Sequence, residues 1–441
     1  MRIVGMLARV RTLWRKLGSP EVRRILRSEV EVRPYLQGVP YWAAAAVVGL
    51  VAVLYSGAFG AGIGLVNSVF HRDPRILFVT SPVCFVLASW LVVRFAPAAG
   101  GTGVPAVIQA VALNPVTQKQ EIESQLSLKV ALVVAASSLL GVLGAGSLGR
   151  EGPMVQMAAC LFYVVGRQFH RLWPHEEQRS WVIAGGAAGV AAAFNAPLAG
   201  IVFALEELAK VHFHKFRTVV ISAAIMGGMV SQWLSGKYLY FGFPKVGDVP
   251  ISSVPWAIGV GIVCGLFAVP FHWMLKVDWK RLLPNYFHAR LQFAAVTGLC
   301  MAALALFVNP GTIGGGTAQI EAMLFRGEAA SWSLIAGRFL GTIVSHVSGC
   351  AGGFLAPALT LGAAIGSKIA VLTAYPNHSL FVMVGMAAFL SAIVRAPFTA
   401  WVIVMEMTDR HSAIFPLMIA SLFSYMTVRM AVDKVKAVHT D

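Results

Sequence analysis

FNAPLAGIVFALEEL, residues 194–208, and VRAPFTAWVIVMEMT, residues 394–408, are one pattern written twice. Each carries an Ala-Pro pair, Ala196–Pro197 and Ala396–Pro397, and each places a glutamate nine residues beyond the proline, at Glu206 and Glu406. The two copies lie 200 residues apart. Upstream, Gly-x-x-x-Pro occurs as GREGP at Gly149–Pro153 and as GFLAP at Gly353–Pro357, 204 residues apart, and each opens a run of small apolar residues. GTGVP at Gly101–Pro105 has a looser counterpart in GGGTA at Gly314–Ala318. Three glycine or proline breaks thus recur in the same order in both halves, as expected of an internally duplicated chain.

The residues between the breaks are hydrocarbon-like. With 57% hydrophobic and 12% charged residues, and a mean hydropathy of +0.73, the 441-residue chain has too little polar surface to coat a globule. From Leu36 to Phe70 no residue carries a formal charge, a run that crosses a roughly 30 Å hydrocarbon core at about 1.5 Å per residue. Further apolar blocks run over Ile76–Val93, Val130–Leu148, Trp181–Leu205, Val219–Leu234, Val254–Leu275, Leu291–Val308, Leu334–Leu361, Leu380–Met405 and Ile414–Val428. Each is expected to be helical, because lipid offers no partner to unpaired backbone groups. The fold class that follows is an all-α polytopic membrane protein.

The formal charge of +16 sits in short loops and tails rather than in a basic domain with interleaved aromatics, which excludes nucleic acid as a partner. Residues 1–34 hold nine Lys or Arg against three acids, and Arg429, Lys434 and Lys436 close the chain. The positive-inside rule therefore places both termini in the cytoplasm, with an even number of crossings of the cell inner (plasma) membrane. No cleavable signal peptide is expected, since the first apolar run follows a long basic stretch. The expected organisation is a basic segment over 1–35 with an amphipathic interfacial helix at Pro20–Val32, a first membrane repeat over 36–235, a linker over 236–253, a second repeat over 254–430 and a short tail over 431–441.

Paired, Gly/Pro-interrupted apolar segments in corresponding positions of two halves point to a transport site, because broken helices end inside the membrane. Their N-termini present unpaired N–H groups and the positive end of the helix dipole. Converging ends bind an anion without a central Lys or Arg, whose full charge would hold it too tightly to release. Gly185, Gly186 and Gly189 read instead as close-packing positions. GAGSLG at Gly144–Gly149 fits GxGxxG, but it follows a membrane-length run with no βαβ unit around it. The five cysteines are far apart and the histidines scattered, with no metal-ligand spacing, so no metal or organic cofactor is expected. An intramembrane enzyme would need a partner for Ser147 or Ser348, and none is evident; a cation or organic-solute carrier would need intramembrane acids beyond Glu151, Glu206, Glu207 and Glu406.

These residues resemble the CLC family of chloride channels and proton-coupled chloride antiporters. GTGVP looks like the family's GSGIP, GREGP is its most diagnostic motif unaltered, GGFLAP at Gly352–Pro357 resembles its third filter segment, and FNAPLAG with the following Glu-Glu pair also matches. The resemblance covers about residues 36–430 in the right order. It implies an inverted repeat of tilted and broken helices, a homodimer with one pathway per subunit, and chloride ions bound in that pathway. By motif position, Thr102 offers its hydroxyl to the central anion, with the backbone of Gly103, Gly152, Phe354, Leu355 and Ala356 around it. Gly101, Pro105, Gly149, Arg150, Pro153, Gly353 and Pro357 complete the filter motifs, with Arg150 structural. Glu151 resembles the gating glutamate, and a carboxylate at an intramembrane helix N-terminus would itself occupy an anion site until protonated. Glu207 falls at the inner proton-transfer glutamate, which favours an antiporter over a passive channel, while Glu206 reads as a solvated helix-end acid. The family's anion-coordinating tyrosine would fall near Ala437, where this chain has none, and Tyr425 lies about three turns too early. Loosened coupling between proton and anion is the expected consequence. The short C-terminus implies that the cytoplasmic CBS pair of many members is absent.

Overall fold

The computed structural model describes residues 33–169, 177–209, 213–236, 239–247, 249–277 and 287–438. The amphipathic helix expected at Pro20–Val32 lies outside them. The first half runs α1 (Arg33–Arg72), α2 (Leu77–Phe95), α3 (Val104–Ala112), α4 (Lys119–Gln125), α5 (Leu128–Leu143), α6 (Glu151–Phe169), α7 (Gln178–Phe194), α8 (Pro197–Phe203) and α9 (Phe213–Ser235). The second runs α10 (Val254–Lys276), α11 (Phe287–Ala303), α12 (Thr317–Phe325), α13 (Trp332–Val347), α14 (Leu355–Leu372), α15 (His378–Val394), α16 (Pro397–Thr408) and α17 (Ile414–Val438). Among the described residues, eight helical stretches are long and apolar enough to cross a membrane. Their exposed residues are large and apolar, such as Leu54, Val79 and Leu132, as expected of faces solvated by lipid.

The two halves match in element order, except that α4 has no counterpart between α12 and α13. The short helices α3 and α12 each follow glycines of positive φ; α5 and α13 are each N-capped by a serine, Ser127 and Ser331; α7 and α15 each end on a residue in the left-handed region, Asn195 and Arg395. After that residue comes a non-helical alanine, then proline at the first helical position of α8 and α16. Proline disfavours a helical conformation in the residue before it and has no N–H to lose at a helix start. The blocks Trp181–Leu205 and Leu380–Met405 are therefore each two helices, and Leu334–Leu361 is interrupted between α13 and α14, at the Ala-Pro and GFLAP breaks that the sequence repeats. Glu207 does not extend a regular helix either, because α8 passes into a π-helical turn at Ala204–Leu208.

α7 and α15 form the centre. From Ser180 to Phe194, and from Leu380 to Ile393, every residue is buried. Small side chains allow this: a Cβ on Gly185 would come within 2.9 Å of the Ala158 carbonyl on α6. α14 packs against α15 and α6 against α7, so the helices that open at GREGP and GFLAP lie directly on this centre.

The repeated glutamates explain how the halves join. The N–H groups of Leu198 and Ala199, at the start of α8, donate to the two carboxylate oxygens of Glu406 at 3.0 and 2.7 Å. Reciprocally, Phe398 and Thr399 N–H, at the start of α16, donate to Glu206 at 3.1 and 2.7 Å, and the Thr399 hydroxyl adds a third bond at 2.8 Å. Glu206 is thus a cap for the other half rather than a solvated acid. Each carboxylate satisfies N–H groups that no intrahelical carbonyl can reach, a contribution of about 0.5–2 kcal/mol per cap. Glu406→Ala is expected to destabilise the protein by about that amount and Glu206→Ala similarly, with Glu406→Gln intermediate, read as thermal unfolding in detergent. An unchanged unfolding temperature in both alanine variants would show that the caps contribute nothing.

Candidate functional site

The three broken motifs meet because their loops pair backbone to backbone. Gly101 N–H donates to the Cys350 carbonyl and Gly352 N–H to the Gly101 carbonyl, both at 3.0 Å. Gly149 and Gly353 exchange N–H···O bonds of 2.7 and 2.9 Å. GTGVP and GREGP are therefore both tied to the segment that leads into GFLAP, and the N-termini of α3, α6 and α14 are brought together. Glycine is required at the contacts. Gly103 has φ +79°, and a Cβ there would stand 2.8 Å from the Gly152 carbonyl; a Cβ on Gly353 would stand 2.9 Å from Gly152 N and 3.1 Å from the Gly149 carbonyl. Pro105, Pro153 and Pro357 each sit in the first turn of their helix, where a missing N–H costs nothing.

Two cavities approach this junction without sharing a lining residue. One, of about 150 Å³, is lined by Thr102, Pro105, Phe354, Leu355 and Glu207 among apolar side chains. The other, of about 580 Å³, is lined by Gly149, Arg150, Glu151 and Ala356, together with Tyr240, Gly315 and Thr317. Thr102 is buried, and among the described residues its hydroxyl has no hydrogen-bond partner. Glu207 is half-buried at the end of the first cavity.

Glu151 is on the wall of the second cavity. It is 1% exposed, at the first position of α6, with the backbone N–H groups of Glu151 itself and of Ala356 facing its carboxylate. Its Oε2 nevertheless makes no well-directed hydrogen bond. Arg150 Nε stands 3.9 Å from Oε1, a loose ion pair. The Tyr240 hydroxyl donates to the same oxygen at 3.4 Å, and the Arg150 guanidinium lies over the tyrosine ring, 5.2 Å from its centre.

Two residues here were missed by sequence reasoning. Tyr240 comes from the stretch between the halves, which has neither periodicity nor motif. Arg338 had a signal: it is a cation inside the apolar block Leu334–Leu361. It is fully buried and donates to the carbonyls of Gly314 and Ile313, to Ser147 Oγ and to Gln319 Oε1. Among the described residues no carboxylate forms a salt bridge with it. Tyr425, the substitute considered for the missing tyrosine, does not line either cavity. Beyond Thr102 a further cavity, of about 450 Å³, is lined by Ser348, His346 and Arg290, and no tyrosine is among its described walls.

The profile of a family described as voltage gated chloride channel matches residues 84–429. The chain belongs to the CLC family. The H(+)/Cl(-) exchange transporter ClcA of Yersinia pseudotuberculosis serotype IB (strain PB1/+) is 31% identical over 414 residues, covering 86% of this chain and 82% of that protein. ClcA of Yersinia pestis matches to the same extent, 31% over 414 residues with the same coverage of 86% and 82%. A slow cyanobacterial Cl-/H+ antiporter superposes with a TM-score of 0.78 at 24% identity, over 89% of this chain and 94% of that one. A CLC-type fluoride/proton antiporter gives 0.77 at 22% identity, over 90% and 96%. The fold of this CLC protein is therefore the family's inverted repeat of tilted and broken helices.

The backbone pairing makes a direct prediction. Gly353→Ala forces a Cβ between Gly152 and Gly149, so the variant should lose most transport and unfold at lower temperature, with Gly57→Ala, which has open space around it, as the tolerated control. Full activity and stability in Gly353→Ala would mean that the loops are not held by this contact.

Proposed function

We propose that this CLC protein exchanges chloride for protons across the bilayer, with Glu151 as the carboxylate that competes with the anion and Glu207 as the proton-transfer group on the opposite side. The observation that carries this reading is the position of the Glu151 carboxylate at the convergent N-termini of α6 and α14, on the wall of one cavity, while Thr102 and Glu207 line another that has no lining residue in common with it. A negative group there takes the place of an anion while ionised, and it has no reason to stay once neutral. The uncompensated charge of buried Arg338, behind the same loops, biases the junction toward anions without contacting them. Thr102 supplies a neutral O–H donor, and Phe354 and Leu355 stand at the amino end of α14 where their N–H groups are free of intrahelical partners. The names of the curated relatives, H(+)/Cl(-) exchange transporters, agree with this assignment.

The positive-inside rule puts Glu207 and the Thr102 cavities toward the cytoplasm and Glu151 toward the outside of the cell inner membrane, with both termini cytoplasmic. As in the family, the assembly is a homodimer with one pathway in each subunit. Chloride is cargo bound in transit. With no tyrosine among the described walls around Thr102, one neutral donor worth about 0.5–1.5 kcal/mol is missing from the anion's shell, and fewer protons are moved per anion than in a tightly coupled relative.

Purified protein in liposomes should pass chloride but not potassium or a nonionic solute, and a chloride gradient should drive protons uphill. Glu151→Ala should retain or increase chloride flux and abolish proton movement, since the variant loses both the competing carboxylate and the proton carrier; loss of chloride flux with proton flux intact would overturn the assignment. Glu207→Gln should keep chloride permeation while losing its coupling to the proton gradient. If uphill proton movement is unchanged in that variant, Glu207 is only a half-buried acid at a cavity end.

A further inference from the structure

The stretch between the two halves does more than connect them. Phe241 N–H donates to the Met407 carbonyl at 3.1 Å, Arg410 Nε donates to the Pro244 carbonyl at 2.6 Å, and Asn377 donates to the carbonyl of Val246. All three partners belong to the second half, at the end of α16, just beyond it and at the start of α15. Pinned in this way, the chain carries Tyr240 to the wall of the Glu151 cavity. The ring is held by Phe194, at the end of α7, with centroids 6.2 Å apart, and by Phe241 at 4.9 Å, with the Arg150 guanidinium over its face. Its hydroxyl points at Glu151 Oε1, 3.4 Å away.

We propose that Tyr240 is a positioning residue for exchange: it holds the ionised Glu151 carboxylate in the anion site and so sets the proton concentration at which the carboxylate leaves. This rests on the reading of Glu151 as the exchanging group. The charged and titratable groups that face Glu151 are few. Arg150 immediately precedes α6, and its guanidinium is shared with the face of the tyrosine ring. Tyr55 comes from α1, but its hydroxyl is paired with Ser138 Oγ at 2.7 Å. α14 contributes the Ala356 N–H and no side-chain charge. Glu321 and Gln319, from α12, also line the cavity, as does Thr317, whose hydroxyl is within reach of the Tyr240 hydroxyl. Tyr240 is therefore the one neutral O–H donor directed at the carboxylate among the described residues.

The chemistry of a phenol suits this position. A second cation beside Arg150 would hold the carboxylate permanently, and an aliphatic residue would leave Oε1 with only the loose ion pair. A phenol bonds strongly to a carboxylate and weakly to a carboxylic acid. When a proton from the cavity reaches Glu151, the bond loses its charge-assisted component and the neutral side chain is released. The proton remains on the glutamate, and the tyrosine keeps its own.

Tyr240→Phe removes only the hydroxyl and retains the ring contacts with Arg150, Phe194 and Phe241. Chloride turnover would be measured in proteoliposomes as a function of symmetrical pH for wild type, Tyr240→Phe, Glu151→Gln and the double variant. The expected result is a midpoint for Tyr240→Phe moved to higher pH by about half a unit to one unit, equivalent to about three- to tenfold more turnover above the wild-type midpoint. The double variant should behave as Glu151→Gln alone. An unmoved midpoint in Tyr240→Phe, with pH dependence abolished in Glu151→Gln, overturns the tyrosine proposal and leaves the function of Glu151 standing. Turnover lowered equally at every pH also overturns it, as does a shift that persists in the Glu151→Gln background. PH dependence retained in Glu151→Gln would instead remove the reading of Glu151 on which the proposal rests.

Discussion

Hydrocarbon supplies no hydrogen-bond partner, so every helix that ends inside this protein must find one within the chain. That constraint governs the whole arrangement. α8 and α16 are short helices that start deep in apolar sequence, and neither could satisfy its first N–H groups alone. Each takes a carboxylate from the other half, Glu406 for α8 and Glu206 for α16. The duplication is thus a mutual requirement as well as a repeated pattern, since a single half would leave one acid and one helix start unpaired.

The same constraint is resolved differently at the three filter motifs. There the carbonyls and N–H groups of the loops pair with each other across Gly101, Gly149 and Gly353, which brings the starts of α3, α6 and α14 together, with the Glu151 and Ala356 N–H groups facing the Glu151 carboxylate. Donors without carbonyl partners in an apolar interior create a demand for an anion. On the proposed reading a halide and the Glu151 carboxylate meet that demand in turn, each excluding the other. Arg338 adds a positive potential from behind, with its own donors spent on carbonyls and polar side chains of the adjoining loops. An anion is attracted without being held by a cation, a combination suited to passage rather than storage.

Asymmetry enters where the halves are joined. Tyr240 has no counterpart in the duplicated pattern, and it reaches Glu151 only because the connecting stretch is bonded to the ends of second-half helices. On the other side of the junction Thr102 opens toward walls with His346 and Arg290 rather than a described tyrosine. If Glu151 and Thr102 act as proposed, the phenol near the one and the lack of a tyrosine among the described walls around the other both bear on how tightly proton and anion movements are linked.

Local chemistry made much of this legible without coordinates. The charge-free run from Leu36 to Phe70 and the apolar blocks required helices in lipid, and the paired GREGP and GFLAP breaks required helix starts inside it, because glycine and proline act on their own backbone and immediate neighbours. The recurrence of Glu206 and Glu406 was equally plain, but its meaning was not. Whether an acid faces water or caps a helix 192 to 208 residues away depends on a partner that sequence spacing does not reveal. Arg338 stood out as a charge in an apolar block, yet only the fold supplied the carbonyls that accept its bonds. Tyr240 carried no signal at all, since its role comes from a loop conformation fixed by bonds to α16 and the residues beyond it. The sequence by itself determined the helices, their breaks and the duplication, because these arise from interactions within a few residues. Tertiary structure alone decided which broken ends converge, which glutamate caps which helix and which side chain covers Glu151, because those depend on contacts between segments that the chain keeps far apart.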